Sequence, residues 1–309
     1  TLSQARDDVA ACSSSSYGYF GGGYAGPPIE DDVATIDRID FSNETTSAPG
    51  NNLTQEMSRL AAVSGGASQR IKGSRTYGYF GGGQTPPQVS TVDRLDFSNE
   101  TLSVPGNNLS QARRELAATS SSSYGYFGGG FAPPRVTTID RIDFSNETLS
   151  VPGNNLSQAR TALAACSSSS YGYFGGGSAV DNTDEEVTID RIDFSNETTS
   201  PVTATLPQAR RELAATSSSS YAYFGGGVSG STSEKNRVDR IDFSNETTSA
   251  PGNNLSQARE RLAACSSSSY GYFAGGYTFI PSFPSQKDRV DRIDFSNETT
   301  SAPGNNLPQ

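Results

Sequence analysis

The chain has 309 residues, 33% hydrophobic and 18% charged, with a net charge of −10 and a pI near 4.6. Neutralising phosphates takes clustered Lys and Arg, and only three lysines occur, so the balance argues against a nucleic-acid partner and an anionic membrane surface. His is absent, which removes the commonest general base, the usual zinc ligand and the partner of serine or cysteine nucleophiles.

No enzymatic activity, catalytic residue, metal site or cofactor is therefore expected. A carboxylate glycosidase would need two placed acids that break any internal pattern, and Glu30, Asp181 or Glu185 are poor candidates for that role. No apolar run approaches the roughly 20 residues that span a bilayer. The chain opens at Thr1 without an initiator Met and stops at Gln309 inside a motif, which reads as a processed product or a segment of something longer.

Internal repetition decides the fold class. Tyr-Gly-Tyr-Phe-Gly-Gly-Gly starts at Tyr17 and returns from Tyr77, Tyr124, Tyr171, Tyr221 and Tyr270, with Ala222 and Ala274 as the substitutions. A second motif, Ile-Asp-Arg-Ile-Asp-Phe-Ser-Asn-Glu-Thr, keeps step from Ile36, Val92, Ile139, Ile189, Val238 and Val290. The units run at about 1–50, 51–106, 107–153, 154–204, 205–252 and 253–309 of one domain, 1–309.

Within each unit four strands are predicted in chain order. The Leu-Ala-Ala-Cys-Ser-Ser run comes first, an inner strand where only small side chains fit. Tyr-Gly-Tyr-Phe follows, then Thr-Ile-Asp-Arg-Ile-Asp-Phe, then Thr-Thr-Ser-Ala before a Pro-Gly turn. Ser42 to Glu44 form a hairpin loop, and the glycines after Phe20 permit angles that other residues resist. A period near 50 with four strands is a propeller blade, so the expected fold is an all-β, six-bladed β-propeller with four antiparallel strands per blade. Cys12, Cys166 and Cys265 occupy one slot in different units and are expected to be buried small side chains rather than bridges.

Residues present in all units are assigned to scaffold: Arg6, Tyr17, Tyr19, Phe20, Gly21, Gly22, Asp37, Arg38, Asp40 and Phe41, with their sisters. The Asp-Arg-Ile-Asp ladder is expected to form ion pairs and hydrogen bonds between blades. Asn in Asn-Glu-Thr, at Asn43 and five sisters, is read as turn chemistry rather than as a glycan acceptor.

Residues present once gather after each triple glycine, in 24–34, 84–90, 131–137, 178–188, 228–237 and 277–289. These second-to-third-strand connections project from one face, and they give the binding-rim candidates Tyr24, Glu30, Asp31, Phe131, Asp181, Asp184, Glu185, Lys235, Tyr277, Phe279, Phe283 and Lys287. Asp181 to Glu186 is read as a solvated loop ahead of a cation site, and Ile280 to Ser285 as either a partner-docking tip or a lid on its own blade.

Leu2-Ser3-Gln4-Ala5-Arg6, Ala10-Ala11, Tyr17 to Gly23 and the Asp40 to Thr45 turn resemble a kelch repeat, over the whole chain. In that family an Arg opens the inner strand, a double glycine closes the second and an aromatic follows the Asp turn in the fourth. Arg6, Arg113, Arg160, Arg210 and Arg259 match; the second unit departs, with Glu56-Met57-Ser58-Arg59 and an insertion reaching Arg75, and the fourth-strand aromatic is missing. The wording of the repeat is also similar to repeat proteins of marine cyanobacterial phages. That implies a virion or extracellular appendage protein, whose partners are a host surface or neighbouring structural subunits. A multivalent lectin with pockets between blades and a structural spacer or filament subunit are the alternatives. Because Thr1 to Arg6 starts an inner strand and Thr300 to Gln309 follows an outer one, the junction of the two ends is expected to be the weakest.

Overall fold

The computed structural model describes residues 1–65, 76–181, 184–230, 233–279 and 285–303. Among them the protein is all β, with no helix, and so none long and apolar enough to cross a membrane. Six four-stranded antiparallel sheets repeat along the chain, each with neighbouring strands in chain order; a three-stranded and a two-stranded sheet accompany them. In the first, Ala10–Ser13 pairs with Tyr17–Gly21, that with Ile36–Asp40, and that with Thr46–Ser47. The arrangement is β-propeller-like.

The alternation in the Tyr-Gly-Tyr-Phe strand explains how sheets stack. Successive side chains point to opposite faces, so Tyr19 looks one way and Phe20 the other, and both are fully buried. Tyr19 stacks on Phe97 of the following unit at 5.1 Å, and the same Tyr–Phe stack recurs at every junction, including Tyr272 on Phe41 at 5.3 Å. Such pairs add about 0.5–1.5 kcal/mol each beyond the area they bury. On the opposite face the small residue two before Phe20 makes room: a Cβ on Gly18 would run into the Cys265 sulfur, and one on Gly78 would lie 2.6 Å from that of Cys12. The cysteines are thus buried packing groups in no disulfide, as their shared slot implied.

The repeated arginine ties two sheets at once. Arg113 receives its backbone bonds from the second unit, donating to Val89 and accepting from Gly83, while its guanidinium reaches Asp140 at 2.7 Å and the carbonyls of Phe127 and Thr138 in its own sheet. Arg113 and Asp140 are both buried. The third-strand arginine works further out, stacked 4.6 Å from the Tyr17 ring in the case of Arg38 and paired with Glu100 of the next unit at 2.6 Å. Glu100 also accepts the Tyr19 hydroxyl. It does so from a left-handed backbone, φ 57°, a conformation shared by its sisters Glu44, Glu147, Glu197, Glu246 and Glu298.

Of the ladder only Arg38 pairs with another unit as expected: Asp37 holds Arg6 of its own unit. Asp40 makes no link between units; its Oδ1 accepts the amide and hydroxyl of Ser42 and closes its own hairpin. Asn43 does the same for Thr45, which bears out its reading as turn chemistry.

The junction of the two ends carries the same backbone hydrogen bonds as the internal junctions. Leu2 donates to the Asp288 carbonyl, Gly276 to Arg6 and Arg6 to Lys287, matching Leu109 to Ser90, Gly83 to Arg113 and Arg113 to Val89 inside the chain. Tyr272 and Arg292 both hold Glu44. The inner strands touch in succession, and the last touches the first.

A glycine just past the second strand tests this packing. Gly129 has φ +67°, and a Cβ there would sit 2.7 Å from the backbone carbonyl of Arg160. Gly129→Ala is expected to lower stability by about 1–3 kcal/mol, read from the denaturant midpoint, because neither the angle nor a backbone oxygen can give way.

Candidate functional site: the variable face

The second strand runs antiparallel to the inner one, so it ends where the inner strand begins. Both the variable connections and the residues that lead into the inner strands therefore lie on one face. The first residue of each connection pairs with the residue just after the repeated Arg slot: Tyr24 with Asp7, Gln84 with Ser58, Phe131 with Arg114, Ser178 with Thr161, Val228 with Arg211 and Tyr277 with Glu260.

One residue further in comes a tier that sequence reading missed, formed by Asp8, Arg59, Glu115, Ala162, Glu212 and Arg261. All of them adopt left-handed angles, with φ between 54° and 57°. Each backbone N–H donates to the carbonyl of the preceding member: Arg59 to Asp8, Glu115 to Arg59, Ala162 to Glu115, Glu212 to Ala162, Arg261 to Glu212 and Asp8 to Arg261. The circuit of hydrogen bonds closes on itself, forming a collar.

Below the collar lies a cavity of about 140 Å³, lined by four consecutive residues from every unit. Its wall is Val9 or Leu, then two alanines, in each case. It is an apolar shaft with a charged mouth.

The mouth gathers several acids around two arginines. Arg59 bridges Asp8 at 3.0 Å and Glu115 at 3.2 Å; Arg261 lies 3.2 Å from Glu212, 3.5 Å from Asp7 and 3.8 Å from Glu260. Burial, then the charge of Asp8, pushes the Asp7 carboxyl up to about 7. Burial, then Glu212, pushes Glu260 up to about 8. Asp8 is raised by burial against the pull of Arg261 and Arg59. Although burial opposes its charge, Arg261 is more basic than usual because Asp8, Glu212, Glu260 and Asp7 surround it.

The rim candidates lie in the connections beyond these pairs. Glu30, Asp31, Asp181 and Asp184 are exposed, as is Phe279 at 50%. Tyr24, Phe131 and Tyr277 are half-buried, and Phe131 lies under Arg114 at 4.8 Å. Glu185 approaches Arg211 at 3.9 Å. Lys235 and Lys287 donate to Ser233 and Ser285 two residues back. Phe283, most of Ile280 to Ser285 and the insertion before Arg75 lie outside the described residues. No group of three or more acidic or sulfur ligands suited to a metal ion occurs among the described residues.

The opposite face is made of the Ser14 to Ser16 turns and the Asp40 to Thr45 hairpins, whose wording hardly changes between units except where the second unit carries its insertion, 66–75, in place of the first turn. The contrast between a uniform face and a varied one is the main functional signal. Compared with models of protein families and with curated proteins, the chain matches none.

Proposed function

We propose that the chain is a closed six-bladed β-propeller of the kelch type that acts as a non-enzymatic recognition and structural module. In this reading it belongs to a virion or extracellular appendage and meets a host surface or neighbouring subunits through the variable face. The observation that carries it is the segregation of variation: the connections, the residue pairs before the inner strands and the exposed Phe279 share one face, while the other face repeats in every unit but the second, which carries the insertion 66–75 there. The closed collar circuit and the uniform junctions support the ring.

Six equivalent lectin pockets between blades fit less well. The ring they would use, Tyr17 or a sister, is already covered by an arginine at 4.4–4.7 Å in every unit.

The test is a set of alanine substitutions at Tyr24, Phe131, Tyr277 and Phe279, compared with Ser15→Ala and Asn43→Ala on the uniform face. Binding to the source's host cells or isolated neighbouring subunits should fall at least about tenfold for the aromatic set, with the melting temperature little changed. Loss confined to the uniform-face variants would reverse the assignment.

A further inference from the structure

Each connection is closed by a pairing of its own. The residue that opens it, Tyr24 or a sister, pairs on its other side with Asp32, Gln88, Arg135, Glu185, Glu234 or Gln286 in turn. These closing residues share no chemistry, but five of them reach the same way, to the unit that follows. Asp32 is hydrogen-bonded to Ser58, Arg135 donates to the Val180 carbonyl at 2.6 Å, and Glu185 approaches Arg211 at 3.9 Å. Glu234 accepts the Phe279 amide at 2.5 Å, and the Gln286 side chain lies so close on Gly26 that a Cβ there would run into it.

Three of these contacts hold the connections that carry exposed apolar side chains. Five large hydrophobic residues are exposed among the described residues; two of them, Val104 and Val151, follow the fourth strands Leu102–Ser103 and Leu149–Ser150. The other three are Ile29, Val180 and Phe279, exposed by 51%, 73% and 50%, and all three belong to connections. Val180 is gripped at its own carbonyl and Phe279 at its own amide. Ile29 lies three residues past the gripped Gly26, in a turn where its amide returns to the Gly26 carbonyl. An apolar side chain on a loose loop loses freedom when it binds, and a loop already held keeps that cost out of the affinity.

We propose that the closing residues are latches: Arg135 is the positioning residue for Val180, Glu234 for Phe279 and Gln286 for Ile29, and these three tips are the anchors that enter apolar pockets of the partner. This rests on the variable face being the recognition face, and it divides that face into residues that touch and residues that hold.

The experiment labels the full chain with ¹⁵N and compares backbone order parameters in Glu234→Ala and Arg135→Ala. Order at residue 279 should fall from about 0.85 to below about 0.6 in Glu234→Ala alone, and order at residue 180 likewise in Arg135→Ala alone. Glu234→Gln, whose side-chain carbonyl still accepts, should keep residue 279 ordered. In the assay on host cells or isolated subunits, Ile29→Ser, Val180→Ser and Phe279→Ser together should weaken binding at least about tenfold. Glu234→Ala should weaken it about threefold, with Glu234→Gln close to the parent.

Unchanged order at both sites, or equal loosening of every connection in each variant, would overturn the latches. Full binding by the triple variant, or no recovery in Glu234→Gln, would overturn the assignment of the tips. A parent chain that binds neither cells nor subunits would sink the recognition reading instead, and the order parameters would still test the latches.

Discussion

Arg160→Met is expected to destabilise the fold by about 3–5 kcal/mol, measured as a fall in the guanidinium midpoint. Arg160 and Asp190 are both fully buried and 2.5 Å apart, and the guanidinium also serves the carbonyls of Gly176 and Thr188. Removing the cation leaves a buried carboxylate whose remaining contact is the amide of Ser157 at 3.4 Å. The second unit shows how such a loss is relieved. There Met57 fills the arginine slot, fully buried, and Asp93 is equally buried, but Thr54 donates both its amide, at 2.9 Å, and its hydroxyl, at 2.6 Å. Adding Ser157→Thr to Arg160→Met should therefore recover about 1–2 kcal/mol. A loss below about 1 kcal/mol in the single variant would mean that Asp190 finds another partner without help.

That comparison shows what could be read from the chain and what could not. The strand order within each unit was legible because turn residues and β-formers repeat in step, and hydrogen bonding between consecutive strands asks only for local sequence. The even fit of Gly78 to Cys12, or of Tyr19 to Phe97 and Glu100, was legible only as a need for packing; which residue meets which depends on how one sheet is laid on the next. Asp40 was assigned to the wrong partner for the same reason: a carboxylate two residues before a Ser serves its own turn as readily as a neighbouring blade.

The collar was the largest omission. Its members, Asp, Arg, Glu, Ala, Glu and Arg, share no chemistry, and they are only single positions inside the repeated Ala-Arg-x-x-Leu-Ala-Ala frame. Longer loops drew attention by their length, although the two x positions break the repeat just as clearly. What unites the collar is a left-handed backbone and a place next to the shaft, and neither is written in a side chain.

The collar should also give the protein an unusual pH profile, with greatest stability near pH 5 and a fall on the order of 2–4 kcal/mol by pH 9. Asp7 is raised to about 7 and Glu260 to about 8. An acid whose pKa rises on folding binds its proton more tightly in the folded state. Its stabilisation is fully present below the unfolded value, near 4, and drains away as pH climbs through the folded one. The groups facing Asp7 are Asp8, Arg261 and the Tyr277 ring; those facing Glu260 are Glu212, Arg261 and Glu234. Only one of these is a cation, so ionising both acids leaves charge that Arg261 alone cannot balance.

On the acid side the sign reverses. Asp40, Asp143, Asp193, Asp242 and Asp294 are held below their ordinary value by the hydroxyl and then the amide of the Ser two residues on. Their contribution is present above about 4 and is lost as pH falls through the lowered values. The double variant Asp7→Asn, Glu260→Gln removes only the alkaline limb, so thermal melts from pH 4 to 9 should show its optimum broadened into the neutral range while its acid limb stays that of the parent. A parent profile flat from pH 5 to 9, or a variant that keeps the alkaline fall, would place the strain somewhere other than the collar.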